Sequence, residues 1–389
     1  MNRVPFLDLA ADWSCVADDA TGRVNSVLAS QGYVLGAQTR ELESSASALL
    51  DGAHALAVSS GSDALYLAML ALGIGPGDAV LLPSFTFFAT AGAVVRAGAQ
   101  PIFVDLDPVT FNSETAQFEA ALLRECDEDG AVGAVHRETG ARVRAVVVVH
   151  LYGRAVAMQS LVDWAASRGL AVVEDAAQAV GARCDSRALG TWGDVGCFSF
   201  YPTKNLGGPG DGGLVSCRDP ELAARLARLR VHGAGGHVYE HLEVGINARM
   251  SELVAAVLNA KMVHLQAWNT RRREIAARYR KCLASVPGLV LPAPAAEEDE
   301  HVWHQYVVRI ATGREAVIAR MDAAGIDTRV FYPLPLHRQE CFKEAGVRAG
   351  ELVESDGAAG SVLCLPIYAS LADEAVERVA SSLAAALAG

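Results

Sequence analysis

Short apolar runs rich in valine alternate with helix-like segments over the first two-thirds of the chain. The predicted strands are 55–58, 79–82, 101–104, 144–149, 171–174, 196–200 and 213–217. The predicted helices between them are 63–72, 89–97, 159–168 and 221–230. Strands that are apolar on both faces are typical of parallel strands covered by helices. The alternation therefore predicts an α/β fold with a mostly parallel central sheet flanked by helices.

The pattern changes near residue 250, and the rest of the chain predicts a second, smaller unit. Its predicted elements are one long helix or a broken pair at 251–283, an exposed acidic loop at 297–300, a strand, a helix and a strand at 302–310, 314–324 and 327–331, and a closing helix at 371–387. The polar segment 125–143 indicates an irregular surface insertion without chemistry. We expect a large α/β domain over residues 1–248 and a small C-terminal α+β domain over residues 249–389.

Charge and cysteine usage disfavour several classes of protein. The net charge of −12 and the lack of a lysine- or arginine-rich block argue against a nucleic-acid partner. No apolar run reaches membrane-spanning length, and the N-terminus lacks the apolar region of a signal peptide, which predicts a soluble cytoplasmic protein without membrane contact. The eight cysteines form no C-x-x-C pair, so no metal site is expected.

One lysine and one carboxylate are placed at the ends of predicted strands. Asp175 follows the apolar strand 171–174, and Lys204 comes 29 positions later, between an aromatic run and a glycine-rich loop. A lone lysine is usually a solvated surface charge. Pyridoxal phosphate (PLP), however, needs a lysine that holds its aldehyde as a Schiff base and a carboxylate that keeps its pyridine nitrogen protonated. The pair therefore predicts a PLP site built on Lys204 and Asp175.

A segment of three serines, one glycine and one aspartate at 59–63 follows a predicted strand and opens a predicted helix. The unpaired N–H groups and the positive dipole end of a helix N-terminus suit a phosphate. The alternative is an ordinary helix cap by Ser62. Ser199, five residues before Lys204, offers a hydroxyl to the same phosphate. Together with Lys204, the segment indicates a phosphate-binding turn.

Further side chains near the predicted strand ends are candidates for contact with a flat cofactor ring or a substrate. Phe87 is our first choice for a stacking ring and Phe85 our second, although core packing is the more frequent role of clustered phenylalanines. Gln178, three residues after Asp175, is placed to reach the phenolic oxygen of the cofactor, unless it only bonds backbone. Asn247 and Arg249 lie between the two predicted domains, where they either fix the hinge or bind phosphate and carboxylate groups.

Taken together, these segments resemble the DegT/StrS-type sugar aminotransferase family, a group of fold-type-I PLP-dependent transferases. The matching motifs are GYVLG at 32–36, SGSDAL at 60–65, PSFTFFAT at 83–90, VHLYG at 149–153, EDAAQ at 174–178, FSFYPTKNL at 198–206, GDGG at 210–213, GINAR at 245–249 and YPLPLH at 332–337. Nine motifs in the same order over nearly the whole chain are specific, although any single one is not. The chain departs from the pattern at Val254, where the family usually has glutamine.

The resemblance implies a role for each matching residue. The implied roles are Schiff-base formation by Lys204, pyridinium binding by Asp175, contact with the ring oxygen by Gln178, ring stacking by Phe87, phosphate binding by Gly61, Ser62 and Ser199, phosphate binding from the partner subunit by Asn247, binding of a substrate carboxylate by Arg249, and a place on the sugar side for Tyr33 and His337. A homodimer with shared active sites is therefore expected.

The resemblance also implies a two-step reaction. An amino acid, with glutamate as the expected donor, gives its amino group to PLP, and a keto-sugar then accepts it. We expect a nucleotide-linked 3- or 4-keto-hexose and a role in amino-sugar biosynthesis. A cyclitol or quinone aminotransferase of the same fold stays open. A PLP-dependent sugar dehydratase is disfavoured because relatives of that type replace the lysine that Lys204 matches. A non-catalytic PLP-binding regulatory protein is the alternative from another class.

Overall fold

A nine-stranded, mostly parallel sheet forms the centre of the computed structural model, which describes residues 3–129, 133–237, 239–295, 300–347 and 349–388. Its strands are β1 (His54–Val58), β2 (Asp78–Pro83), β3 (Gln100–Val104), β4 (Cys126–Asp129), β5 (Gly133–His136), β6 (Arg142–Val149), β7 (Ala171–Asp175), β10 (Val195–Ser199) and β11 (Gly213–Cys217). A separate two-stranded hairpin pairs β8 (Arg183–Cys184) with β9 (Arg187–Ala188). All seven strands predicted for this part of the chain are confirmed within a few residues.

The strand order is β1-β11-β10-β7-β6-β2-β3. Neighbours from β10 to β3 are parallel, whereas β11 runs antiparallel to both β10 and β1. Alternate residues of one strand enter different core clusters: Leu81 packs in one, and Val80 and Leu82 pack in the other. Because side chains alternate along a strand, the two clusters lie on opposite faces of the sheet. The α/β prediction with helices on both faces is therefore confirmed.

Helices before and between these strands cover the sheet. They are α1 (Leu9–Ser14), α2 (Ala17–Ser30), α3 (Ala37–Leu49), α4 (Gly61–Ala71), α5 (Ala89–Arg96), α6 (Thr115–Glu125), α7 (Met158–Ala166) and α8 (Pro220–Leu229). Helices α4, α5, α7 and α8 are confirmed predictions, whereas no element was predicted for the first 50 residues or for α6. Residues 251–283, predicted as one long helix or a broken pair, form two helices, α9 (Glu252–Met262) and α10 (Leu265–Leu283).

A second sheet follows, with the order β12-β13-β14. The remaining elements are β12 (Leu289–Val290), β13 (Tyr306–Ile310), α11 (Arg314–Ala323), α12 (Glu340–Glu344), α13 (Val353–Ser361), β14 (Val362–Leu365) and α14 (Asp373–Ala388). Helix α10 packs against α14, while α9 packs against α2 and α3. The domain boundary between residues 248 and 249 stays a prediction.

Two local predictions are wrong. Residues 327–331 do not form a strand, because the N–H of Asp327 pairs with Val4 and only Arg329 pairs with Cys364 of β14. The insertion at 125–143 is not irregular throughout, since it contains the β4–β5 hairpin, which joins β6 through Val135 and Arg142. Of the acidic loop predicted at 297–300, residues 297–299 lie outside the described residues.

A buried glutamate attaches α3 to α9. Glu252 accepts hydrogen bonds from the backbone N–H groups of Gly36 (2.8 Å), Gln38 (2.8 Å) and Thr39 (2.9 Å). These are N–H groups of the first turn of α3, which have no partner within the helix. Glu252 therefore acts as a cap supplied by a distant part of the chain, and the segment containing Tyr33 is attached to α9 through the bond from Glu252 N to Tyr33 O (3.1 Å).

Among the described residues, no helix combines the length and the hydropathy of a membrane-crossing segment. Within the same ranges, no three histidine, cysteine, aspartate or glutamate side chains are grouped as metal ligands.

Candidate active site

The carboxyl ends of β7 and β10 bring the predicted catalytic residues to one edge of the sheet. The two strands are parallel neighbours, and Cys197 in β10 lies opposite Asp175, the last residue of β7. Lys204 is in the turn that follows β10, where its backbone N–H donates to the carbonyl of Tyr201 (2.8 Å). In open α/β sheets, ligands bind outside the carboxyl ends of the strands. Asp175 and Lys204 therefore meet where a ligand is expected.

Asp175 is a buried carboxylate with a hydrogen bond to each oxygen. The Thr90 hydroxyl donates to Oδ2 (2.8 Å), and the Ala177 N–H donates to Oδ1 (3.2 Å). Burial raises the pKa of Asp175 above its usual value, while these two bonds and the nearby positive charge of Lys204 oppose the rise. Each oxygen keeps a free lone pair, so the carboxylate can still accept a proton donor such as a pyridinium nitrogen. The role of Thr90 was not predicted from the sequence.

Lys204 is half-buried in the turn after β10. Burial lowers the pKa of its ammonium group to about 8, against the opposing effect of the Asp175 charge. A lysine with a lowered pKa is neutral in a larger fraction of molecules near neutral pH, which favours its reaction as a nucleophile.

The residue after Lys204 is fixed by a buried polar network. Nδ2 of Asn205 donates to Asn269 Oδ1 and to the carbonyl of Val302, both at 2.9 Å. Because Nδ2 is the donor, Oδ1 of Asn205 is left to accept from Nδ1 of His304 at 3.1 Å. Burial lowers the pKa of His304 well below its usual value, so the imidazole is neutral. The network connects the lysine turn to α10 and to the segment before β13, contacts that the sequence did not reveal.

The predicted phosphate turn lies at the N-terminus of α4. Ser60, and not Ser62, caps this helix, because its hydroxyl accepts from the N–H of Asp63 (3.0 Å). Ser62 is exposed and is left available for a ligand. A Cβ added to Gly61 would lie 2.7 Å from the Cβ of Ser199. The turn and the end of β10 are therefore in contact, with Gly61 beside Ser199 and Ser62 next in the turn; their binding of a phosphate stays a prediction.

The two phenylalanines considered for ring stacking have different environments. Phe85 is 1% exposed and belongs to the core, whereas Phe87 is 55% exposed. Both rings contact Tyr332, with centroid distances of 6.2 Å for Phe85 and 6.3 Å for Phe87. Phe87 therefore has a free ring face and Phe85 does not, which favours our first choice.

Gln178 is buried beside the same tyrosine. Its Nε2 donates to the Tyr332 hydroxyl (3.1 Å), and its Oε1 accepts from the N–H of Tyr152 (2.7 Å). Both ends of the amide thus have partners in the protein. Because Nε2 carries two hydrogens and donates one to Tyr332, the other can still be donated to a ligand. The alternative of a loop amide bonded to backbone holds for Oε1 only.

A second carboxylate next to Asp175 has a structural role that the sequence did not reveal. Glu174 accepts from the N–H groups of Gly190 (2.7 Å), Trp192 (2.7 Å) and Gly193 (2.8 Å). Nε2 of His150 lies 3.1 Å from Glu174, and its Nδ1 accepts from the N–H of Val156. The imidazole therefore donates from Nε2 to the carboxylate. All four lone-pair positions of Glu174 are used within the protein, and this fixes the end of β7.

Asn247 and Arg249 lie next to the end of β1, where the Ala248 carbonyl accepts from Ser59 N–H (2.9 Å). Nε of Arg249 donates to Oδ1 of Asn247 (2.9 Å), and Asn247 is exposed. Tyr33, also exposed, is held nearby through its bond to Glu252. Tyr33 and Asn247 are thus exposed, and Arg249 is half-buried beside Asn247.

His337 is almost enclosed and has partners within the chain. Its Nδ1 is 2.6 Å from the hydroxyl of Ser84, just after β2, and its Nε2 is 3.3 Å from Asp356. Burial lowers its pKa, while Asp356 opposes the shift. Ser84 thus occupies Nδ1, whereas Nε2 lies within ion-pair distance of Asp356 but is buried without a hydrogen bond to a described residue. The enclosed position of the ring gives the predicted sugar contact less support than the other predicted roles.

The solved structures that resemble the chain include a DegT DnrJ EryC1 StrS aminotransferase from Brucella abortus, which is 33% identical, with a TM-score of 0.90 over 97% of this chain and 98% of that chain. S. venezuelae DesV, solved in complex with a ketimine intermediate, is 39% identical, with a TM-score of 0.90 over 99% of this chain and 98% of that chain. With Lys204 and Asp175 at one sheet edge, this fold and site define an aminotransferase.

The sequence comparisons narrow this class to a family. The model of the DegT/DnrJ/EryC1/StrS aminotransferase family matches residues 14–384, and the chain belongs to that family. A pleiotropic regulatory protein of Geobacillus stearothermophilus is 39% identical, with 98% of each chain covered. A UDP-N-acetyl-3-dehydro-alpha-D-glucosamine 3-aminotransferase of Acidithiobacillus ferrooxidans is 37% identical, with 99% of this chain and 98% of the relative covered.

Proposed function

We propose that the chain is a PLP-dependent aminotransferase that moves an amino group from glutamate to a nucleotide-linked keto-hexose. The observation that carries this proposal is the placement of Lys204 and the buried Asp175 at the carboxyl ends of two neighbouring parallel strands. Family membership supports the reaction type. The name of the Acidithiobacillus relative supports a sugar ketone at C3 of a UDP-linked hexose as the first acceptor to try.

The side chains fit the proposed cofactor. Asp175 offers a buried acceptor for a pyridinium nitrogen, Lys204 an amine of lowered pKa, and Phe87 an open ring face. The N-terminus of α4 and the hydroxyls of Ser62 and Ser199 suit a phosphate. When bound, PLP supplies an electron sink for the charge that develops at Cα of the amino donor.

The proton transfers belong to Lys204. Its Nζ first acts as a general base and removes the proton from Cα of the donor. The protonated Nζ then acts as a general acid and gives the proton up again. A pKa of about 8 suits both roles near neutral pH, since neither protonation state is rare. Asp175 stays ionised in this scheme, and the bonds from Thr90 and Ala177 stabilise its charge.

The active site is proposed to need two subunits. Asn247 is exposed and bonded only by Arg249 among the described residues, which suits a phosphate ligand given to the partner's site. Complementation tests this: a Lys204→Ala subunit mixed with an Asn247→Ala subunit should form hybrid dimers with one intact site. Activity in the mixture above that of either variant alone is expected, and no recovery would remove Asn247 from a shared site.

The visible absorption spectrum before and after glutamate tests the proposal as a whole. A PLP band that is converted by glutamate, followed by recovery of that band with a keto-sugar nucleotide, is the expected result. Amination of a cyclitol ketone but of no keto-sugar nucleotide would favour the cyclitol alternative. A band that responds to no amino acid would favour the non-catalytic regulatory alternative, which the name of the Geobacillus relative keeps open. The two-domain division at residue 248 and the cytoplasmic location stay predictions from the sequence.

A further inference from the structure

A cavity of about 360 Å³ lies beside the turn that carries Lys204. Thr203, the residue before Lys204, forms part of its wall, and Phe6 and Phe331 form apolar parts. Small-molecule sites usually have volumes of about 300–1,000 Å³ and combine apolar walls with a few polar groups. The cavity therefore has room for an amino acid next to the proposed catalytic lysine.

One wall of this cavity contains a buried arginine without an acidic partner. Arg272 is 4% exposed, and its Nη1 donates to the carbonyls of Trp303 (3.1 Å) and Ile367 (3.0 Å). Its Nε and Nη2 donate to no described residue, and neither nitrogen is sealed from solvent. No carboxylate of a described residue forms an ion pair with Arg272, although Asp12 acts on it from a longer distance. Buried charges are rarely left unpaired, so an anion is expected here.

A second arginine lies in the same wall. Nη1 of Arg329 donates to the carbonyl of Thr328 (2.8 Å), and its guanidinium lies 5.6 Å from the ring centroid of Phe6. It makes no ion pair with any residue that the structure describes. The acidic residue of the wall, Asp327, accepts from Nε of Arg3 (2.6 Å), an arginine that it shares with Asp322. The cavity thus has two guanidinium groups that form no ion pair with a carboxylate of a described residue.

We propose that Arg272 and Arg329 bind the side-chain carboxylate of the amino donor. The proposal rests on the proposed function, because it requires an amino donor at Lys204. Guanidinium groups match the planar geometry of carboxylates, and the apolar walls suit the methylene groups between the two ends of glutamate. The cavity begins one residue away from Lys204, and His304 in its wall is close enough for the Lys204 charge to add to the lowering of its pKa by burial. Arg249 of the subunit that supplies Asn247 would then take the α-carboxylate, and the cavity would select for acidic amino acids.

Binding of glutarate to the holoenzyme tests this inference without turnover. Arg329 is exposed, so Arg329→Gln should leave the fold intact. Calorimetry should show glutarate binding at least tenfold weaker to Arg329→Gln than to the unmodified enzyme, with butyrate weak for both. Arg278→Gln is the matched control, since Arg278 on α10 is paired with Asp373 and Glu377. It should bind glutarate as the unmodified enzyme does. Equal glutarate binding by Arg329→Gln, or none by the unmodified enzyme, would overturn the inference.

Two further measurements are needed. One distinguishes a carboxylate from a phosphate as the anion in the cavity, and the other distinguishes failure of this inference from failure of the proposed function. If Arg329→Gln lost binding of UDP or inorganic phosphate but kept that of glutarate, the cavity would be a phosphate site and the inference would be wrong. In the half-reaction, the variant should need at least tenfold more glutamate for half-maximal conversion of the PLP band, with an unchanged response to glutamine. Arg272→Lys, which keeps the charge and loses the planar group, should act in the same direction. If the unmodified enzyme did not respond to glutamate at all, the proposed function would fail independently of the glutarate result.

Discussion

Thr90 donates its hydroxyl hydrogen to Oδ2 of Asp175 across 2.8 Å, and both side chains are buried. Thr90 is the second residue of α5, and Asp175 is the last residue of β7. Their hydrogen bond therefore joins two separate elements at the point where a cofactor nitrogen is proposed to bind. The bond favours the charged form of a carboxylate whose pKa burial raises. Thr90 therefore supports the ionised state that the proposed role of Asp175 requires.

Removing the Thr90 hydroxyl should impair the enzyme through Asp175. Thr90→Val keeps the shape and loses the donor, and a hydrogen bond to a charged group is worth about 1.5–3 kcal/mol. We expect PLP affinity to fall by roughly tenfold or more on this scale. Because the bond lowers the pKa of Asp175, its loss raises that pKa, and activity on the acidic side should be lost at a higher pH. A PLP titration and a pH profile measure both effects. Thr90→Ser, which restores a hydroxyl, should recover most of the affinity.

Replacing Lys204 should abolish covalent attachment of the cofactor. Lys204→Ala is expected to fold normally, to bind PLP only reversibly and to show no turnover. Borohydride reduction followed by mass spectrometry should find PLP fixed to the unmodified chain and not to the variant. Lys343→Ala, at an exposed lysine paired with Glu340, serves as the control and should retain both attachment and activity. Retained conversion of the cofactor by glutamate in Lys204→Ala would contradict the assignment.

Uptake of PLP by the cofactor-free protein should depend on pH through Lys204. Only the neutral amine attacks the aldehyde, and burial lowers the pKa of this lysine to about 8. The rate should therefore rise with pH below about 8, by roughly tenfold per pH unit, and level off above it. Stopped-flow absorbance checks this. The Asp175 charge raises the pKa of Lys204, so Asp175→Asn should move the plateau to lower pH. A rise that continues to the pKa of a free lysine would contradict the burial effect.

A methyl group on Gly61 should damage the phosphate turn. Its Cβ would lie 2.7 Å from Ser199 Cβ, and overpacking of this kind costs about 1–3 kcal/mol. Gly61→Ala is therefore expected to lower the free energy of unfolding by about 1–3 kcal/mol. Because Ser199 must move, PLP binding should also weaken about tenfold. Gly22→Ala is the matched control in α2, because no atom lies within 4 Å of its added Cβ. This variant should bind PLP normally and gain about 0.5–1 kcal/mol of stability from the better helix former. Equal PLP affinity of the two variants would rule out the predicted contact at Gly61.

The sequence predicted the parts of the site that depend on strand position alone. Asp175 and Lys204 could be placed because apolar strands have recognisable ends and parallel neighbours align those ends. Thr90 could not be assigned, since its bond to Asp175 joins residues 85 positions apart and no local pattern encodes it. The bond from His304 to Asn205 joins residues 99 positions apart and could not be predicted for the same reason.

The fold shows a similar division between local and distant signals. The valine-rich strands were found because each has its own apolar pattern, whereas α2 and α3 have few buried residues and little apolar character of their own. Their position depends on packing against α9, which lies more than 200 residues later. The false strand at 327–331 had a strand-like composition but found only single-residue pairings.

The cap that Glu252 places on α3 also sets an order for synthesis of the chain. The residues that it joins are 213 positions apart, so a nascent chain has made α3 long before its cap exists. At about 5–20 residues per second, a ribosome needs roughly 10–40 s to cover that distance. During this time the N–H groups in the first turn of α3 lack the Glu252 carboxylate. The helices that precede the sheet cannot yet pack against α9. A chain truncated before residue 252 should therefore leave its first 50 residues sensitive to protease, even where the central strands have already paired.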